Sequence, residues 1–202
     1  ASADEISWVQ TSYLIAEVVM IPLSGILTRA LSTRWLFAIS AGGFTLASIA
    51  CGLSTSIEEM ILFRAIQGFV GGAMIPAVFA AAFTAFPPKS RGLISPVIGL
   101  IATLAPTIGP TIGGLLTNAM SWHWLFFVNV IPGIGVTIAA LTLIDFDRPN
   151  LKILERFDWW GLLAMALFLC SVEFVLEEGP SNDWFDDNWI SIFAGVAVAG
   201  AV

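Results

Sequence analysis

From Gly92 to Ile144 the chain runs for 53 residues without one Asp, Glu, Lys or Arg. A water-facing fold cannot be built on such a stretch, because soluble domains carry about 25% charged residues to cover their surface. A helix that crosses a bilayer needs roughly 20 mostly apolar residues. The run therefore holds two spans, parted by the polar stretch Asn118 to His123. Charge-free runs from Trp35 to Ile57 and from Ala65 to Pro88 hold one span each. Trp8 to Thr28 is interrupted only by Glu17, and the stretch after Asp158 to Leu176 only by Glu173. The expectation is an all-α polytopic transmembrane helical bundle with six spans, near 8–28, 35–53, 59–82, 93–117, 123–144 and 158–177, and a seventh begun at 189.

Composition closes off the other classes. With 57% hydrophobic and 11% charged residues and a net charge of −7, the chain is neither a soluble domain, a disordered segment nor a basic nucleic-acid binder. Two cysteines and one histidine are too few for a disulfide framework or a multi-histidine metal site, so no metal and no cofactor are expected. An enzyme would need a nucleophile–base pair or metal ligands at membrane depth, and the lone His123 with no clustered acids argues against one.

The basic residues orient the spans. Arg29 and Arg34 lie in the first turn between spans, Lys89 and Arg91 in the third, and Arg148, Lys152 and Arg156 in the fifth. The alternate connections contain no Lys or Arg. Seven of the eight basic residues thus fall on one side, which the positive-inside rule makes cytoplasmic. Acidic Asp4, Glu5, Asp183, Asp186 and Asp187 are then outside. The chain opens without an initiator Met or a basic leader and stops inside an apolar run, which reads as a fragment. At least one helix is expected before Ala1 and more after Val202, and such a piece is expected not to transport alone.

The eighth basic residue, Arg64, lies about a turn and a half inside the third span. An arginine at that depth costs about 2.5–3.5 kcal/mol on insertion scales, so it faces a cavity or a partner. Gln67 and Gly68 stand three and four residues on, sharing its face. Gly68 and Gly72 form a small-xxx-small pair that admits a close neighbouring helix. Arg64 is read as a cavity-facing group that pairs with a carboxylate or binds substrate, the alternative being an arginine that snorkels to the interface.

Glu17 lies midway along its span. Proton coupling needs a group that titrates near neutral pH, and desolvation can bring a carboxylate there. Glu17 is read as a proton- or cation-handling group, the alternative being a structural hydrogen bond to a neighbouring helix. Gln67 and Asn129 either line a cavity or bond between helices. His123 reads as an interface residue, Cys51 and Cys170 as small apolar packing residues, and the eight tryptophans mainly as interface anchors.

The fourth span contains Pro106, Gly109, Pro110, Gly113 and Gly114. Pro110 has no N–H for the Pro106 carbonyl, so a bend is expected there, and Gly109 and Gly113 are expected to give close helix contact.

These residues carry a specific resemblance. Arg64-x-x-Gln67-Gly68-x-x-Gly71-Gly72 resembles the fourth-helix motif of major facilitator superfamily transporters, and Gly109-Pro110-x-x-Gly113-Gly114 resembles the fifth-helix motif of its antiporters. Trp8-Val9-x-Thr11-Ser12-Tyr13 with Pro22-Leu23-x-Gly25-x-Leu27 is similar to the second helix of the drug:proton antiporter branch. Trp122-His123-Trp124-x-Phe126-Phe127-x-Asn129-Val130-x-Pro132 is similar to the entry of its sixth. Leu176-x-x-Gly179 before Asp183-Trp184-Phe185 resembles the loop after the seventh helix of EmrB/QacA-type fourteen-span members.

The resemblance implies that residues 1–144 are helices of the N-terminal transport bundle without its first helix. Residues 145–202 would be a cytoplasmic loop, an extra central helix and the start of the next. Glu173 would then lie on the extra helix and, with Glu177 and Glu178, read as an interfacial acidic patch. The cytoplasmic loop motif would comprise Gly25, Arg29 and Arg34. The superfamily carries an Asp where this chain has Arg29, so the charge relay attributed to that Asp is not carried over. The implied function is proton-coupled multidrug efflux across the inner membrane by alternating access. The alternatives are a symporter or uniporter, or a non-transporting scaffold. Implied partners are small amphipathic or hydrophobic substrates, protons, the bilayer, and a periplasmic membrane-fusion adaptor with an outer-membrane channel.

Overall fold

Lipid offers no water to backbone groups, so each span must close its own hydrogen bonds. The computed structural model describes residues 3–145 and 147–201. Ala1 and Val202 lie outside the described residues, as do the side chains of Asp4, Glu5 and Arg156. Helices α1 (Ala3–Leu31), α2 (Thr33–Leu53), α3 (Ile57–Gly71), α4 (Met74–Ala85) and α5 (Pro88–Ala119) follow one another with short turns. Then come α6 (Trp124–Phe127), α7 (Val130–Leu143), α8 (Trp159–Glu178) and α9 (Asn188–Gly200). Six membrane-length apolar helices result, at Ile6–Leu31, Thr33–Leu53, Ile57–Ala85, Lys89–Ala119, Trp124–Leu143 and Trp159–Ser181. They match the six expected spans, and α9 is the seventh.

Two spans that read as continuous are in fact broken, and prolines explain both. Pro76, the third residue of α4, has no N–H to reach the Gly72 carbonyl, while Ala77 N–H bonds the next carbonyl, Ala73, at 3.1 Å. The α3–α4 joint falls there. Pro132, the third residue of α7, likewise leaves the Val128 carbonyl without its partner, while Gly133 N–H bonds Asn129 at 2.9 Å. The α6–α7 joint falls at Val128 and Asn129. By contrast, α5 continues as one helix through Pro96, Pro106 and Pro110.

At the acidic end, side chains start the helices. Ser56 accepts from Glu59 N–H at 3.2 Å while the Glu59 carboxylate accepts from Thr55 N–H at 2.8 Å, a variant of the capping box. Asp187 accepts from Trp189 and Ile190 N–H at the head of α9. At the basic end Ser32 alone links α1 to α2, with φ at 76°, and offers no side-chain cap. Asp147 supplies it from the loop after α7, accepting from both the N–H and the hydroxyl of Thr33 at 2.7 Å.

Packing has the sense expected where lipid is as apolar as the protein. The buried positions are small or weakly polar, such as Ala41, Ala47, Ser40, Ser48 and Thr45 on α2, whereas Leu46, Ile131 and Leu143 face outward. Helix α3 lies between α1 and α2, α7 packs on the far side of α2, and the α8–α9 pair packs on α1. Helix α5 touches mainly α4 and α6 and has no buried residue in its span.

Candidate functional site

Glycines decide where the polar groups meet. A Cβ at Gly68 would run into the Tyr13 carbonyl of α1, and one at Gly72 would stand 2.8 Å from the Glu17 carbonyl oxygen. Gly71 faces α2, where a Cβ would meet Phe44 at 2.8 Å. Helix α3 is therefore drawn against α1 along a seam that begins one turn before Gly68, at Arg64.

The Arg64 guanidinium lies over the Tyr13 ring, 4.0 Å from its centroid, within cation–π range. Its Nε donates to the Val9 carbonyl at 3.3 Å and its Nη1 to Gln67 Oε1 at 2.7 Å. Gln67, 1% exposed, passes the chain on by donating from Nε2 to Ser48 Oγ at 2.6 Å. Three helices are thus tied through Tyr13, Arg64, Gln67 and Ser48. Among the described residues no acid lies within 4.0 Å of Arg64. Among the described residues a carbonyl, an amide and an aromatic face make the direct contacts to the guanidinium.

Glu17 follows Tyr13 by one turn on α1 and is half-buried. Its backbone sits against Gly72, and its carboxylate makes no hydrogen bond among the described residues. Gln67 therefore bonds between helices. Asn129 Nδ2 donates to the Leu125 carbonyl within its own segment at 3.4 Å. His123 stacks on Trp122, with centroids 3.7 Å apart.

The other motif residues lie apart from this seam. Among the described residues Gly109 and Gly114 face open space, and Gly113 meets only Leu125 Cδ2 at 3.5 Å. Of the described helices, α6 reaches this face, through Leu125 at Gly113. A shallow apolar groove of about 460 Å³ runs there, lined by Leu104, Ile108 and Ile112 among others. Pro110 sits within the unbroken α5. At the basic end Gly25 has nothing within 4 Å of its notional Cβ, Arg29 borders a cavity with Asp147 and Arg148, and Arg34 approaches Asp145 at 3.9 Å.

On α8, Glu178 is 6% exposed and accepts from Thr11 Oγ1 at 2.7 Å. Glu177 accepts from Gln10 Nε2 at 3.0 Å, while Glu173 is half-buried. Sequence reasoning assigned no role to Tyr13, Ser48 or Asp147. Tyr13 carried one signal, being the only tyrosine and one turn from Glu17. Among the described residues no group of three or more His, Cys, Asp or Glu could hold a metal ion.

Comparison with known proteins places this geometry. The colistin resistance protein EmrB of Acinetobacter baumannii is 46% identical over 202 residues, covering all of this chain and 40% of that protein. Multidrug resistance protein 3 of Bacillus subtilis is 33% identical over 202 residues, covering 98% of this chain and 38% of that protein. The multidrug export protein EmrB of Escherichia coli K12 is 33% identical over 198 residues, with coverage of 98% and 38%. The chain thus spans about two fifths of the length of these relatives. The family model described as Major Facilitator Superfamily matches residues 1–202. With six membrane-length helices, this multi-pass chain of the bacterial inner membrane belongs to the Major Facilitator Superfamily, a family of transporters and not of enzymes.

Proposed function

We propose that the protein to which this chain belongs is a proton-coupled multidrug exporter working by alternating access, with the α1–α3 seam in its working interior. One observation carries the reading. A half-buried arginine is held over Tyr13 by neutral groups only, and Glu17, without a hydrogen-bond partner among the described residues, stands one turn along the same helix. An acid without a hydrogen-bond partner in the membrane is suited to load and unload a proton, which exchange of a proton for a solute requires. The printed names of the relatives, export and resistance proteins, support efflux as its direction.

In this reading residues 1–144 contribute to the N-terminal bundle, and 145–202 to a cytoplasmic loop and the added central helices. The basic end is cytoplasmic. The substrate is a small amphipathic or hydrophobic compound, and a membrane-fusion adaptor with an outer-membrane channel would carry it onward. Helix α5, with its exposed Gly109-Pro110 face, is a surface for the opposing bundle to move against. The test is a pH-gradient-driven efflux assay on the full-length protein in proteoliposomes. Glu17→Gln is expected to abolish gradient-driven export while leaving substrate binding within a few-fold. Wild-type export by Glu17→Gln would refute its role.

A further inference from the structure

A second cavity lies on the opposite side of α1 from the Arg64 seam. It has a volume of about 730 Å³ and sits between α1, α8 and α9 at the acidic end of the bundle. That size is within the range of drug-sized ligand sites. Its walls are aromatic: Trp8 and Phe174 have ring centroids 6.0 Å apart, and Phe174 and Phe193 4.4 Å. Its charged groups are of one sign, Glu178 and Asp187, beside the uncharged Ser7, Ser181 and Asn182, and no Lys or Arg lines it.

The state of Glu178 shows what is missing. The residue is 6% exposed, and its Oε1 accepts from Thr11 at 2.7 Å and Ser7 at 3.3 Å. Its Oε2 has only Asn182 Nδ2 at 3.5 Å. Hydroxyl and amide dipoles thus hold a buried carboxylate in place, and no cation stands within 4.0 Å of it among the described residues. Burying an acid in this way is costly unless a positive charge accompanies it. Asp187 spends its Oδ1 on the α9 N-terminus, so its own charge is partly offset there.

We propose that this cavity is a binding site for an amphipathic organic cation, distinct from the transport seam. The aromatic faces take the planar apolar body by stacking and cation–π attraction, and Glu178 takes the positive end. The site does not depend on the transport reading, because Arg64 contributes nothing to it.

Cys170 supplies a local reporter, since it lines the same cavity and is half-buried, whereas Cys51 is fully buried. The probes are ethidium, a planar cation, and phenanthridine, its uncharged parent ring system. Full-length protein in nanodiscs is treated with N-ethylmaleimide, and modification of the Cys170 peptide is followed by mass spectrometry. Ethidium is expected to slow labelling at least fivefold, and phenanthridine at the same concentration to leave it nearly unchanged. Glu178→Gln, which keeps the acceptor for Thr11, is expected to raise the ethidium concentration needed at least tenfold. Trp8→Ala is expected to weaken protection independently of Glu178, and Arg64→Ala to leave it intact even where export is lost.

Equal protection by both probes, or unchanged protection in Glu178→Gln, overturns the proposal. Where Cys170 does not react in the wild type, ethidium anisotropy replaces labelling: a tenfold weaker Kd in Glu178→Gln supports the site. An unchanged Kd means that lipid or another part of the protein fills the cavity, and refutes the site. If Glu178→Gln fails to fold, Phe193→Ala takes its place with the same expectations for ethidium.

Discussion

The α1–α3 seam can be tested by adding single methyl groups. Gly68→Ala places a Cβ against the Tyr13 backbone, with its carbonyl oxygen, carbon and Cα all in the way. No flexible side chain is there to swing aside, so the two helices must separate. Overpacking of this kind costs about 1–3 kcal/mol, while replacing a helical glycine by alanine returns about 0.5–1 kcal/mol. The net for Gly68→Ala is a loss on the order of 1–2 kcal/mol. Gly72→Ala, with its nearest contacts at 2.8 and 3.0 Å, should lose less. Gly25→Ala, which meets nothing within 4 Å, should gain the propensity term and no clash. In thermal unfolding of the full-length protein in detergent, taken as about two and a half times the length of this chain, about 1 °C per kcal/mol puts the Gly68→Ala Tm roughly 1–2 °C below wild type. The Gly25→Ala protein should lie at or slightly above it. A Gly68→Ala protein as stable as wild type, or a ranking in which Gly25→Ala falls furthest, refutes the seam as described.

Other consequences follow from the same contacts. Arg64→Ala removes the guanidinium from buried Gln67 Oε1, which then has only Cys51 Sγ at 4.0 Å. A loss of about 1–3 kcal/mol is expected by thermal unfolding, and Arg64→Lys should recover only part of it because an ammonium lacks the planar fork. Asp147→Ala deprives Thr33 of both bonds at the head of α2, a cost of about 0.5–2 kcal/mol. Hydrogen exchange should quicken at the first amides of α2 and not at its far end. Gly52→Ala drives a Cβ to 2.6 Å from the Phe127 ring. A smaller residue, Phe127→Leu, should restore stability in the double variant, giving a coupling of about 0.5–3 kcal/mol, and additive losses would contradict the contact.

Local features of the sequence were the legible ones. Arg64, Gln67 and Gly68 share a helix face because residues three and four apart always do. The joints at Gly72 and Val128 were not read, although Pro76 and Pro132 each remove the N–H that the carbonyl four residues earlier needs, because α5 runs through three prolines without a joint. Partners across helices were not legible either. Nothing local says that Tyr13 lies under Arg64, or that Asp147 caps a helix beginning 114 residues earlier. The glycines of α5 show the converse: a motif can be plain in the sequence while its glycines meet only Leu125 among the described residues.

The sequence by itself determined how many times the chain crosses the bilayer and which turns share an end. Those follow from where charges are absent and where Lys and Arg recur, because the cost of a charge in lipid is set residue by residue. Only the tertiary structure decided which helices touch, and with that the neutral setting of Arg64 and the burial of Glu178. The reason is physical. Between helices in lipid there is no hydrophobic drive to choose partners, so the choice falls to close packing at small residues and to single hydrogen bonds. Those depend on the mutual register of whole helices, which no single stretch of sequence contains.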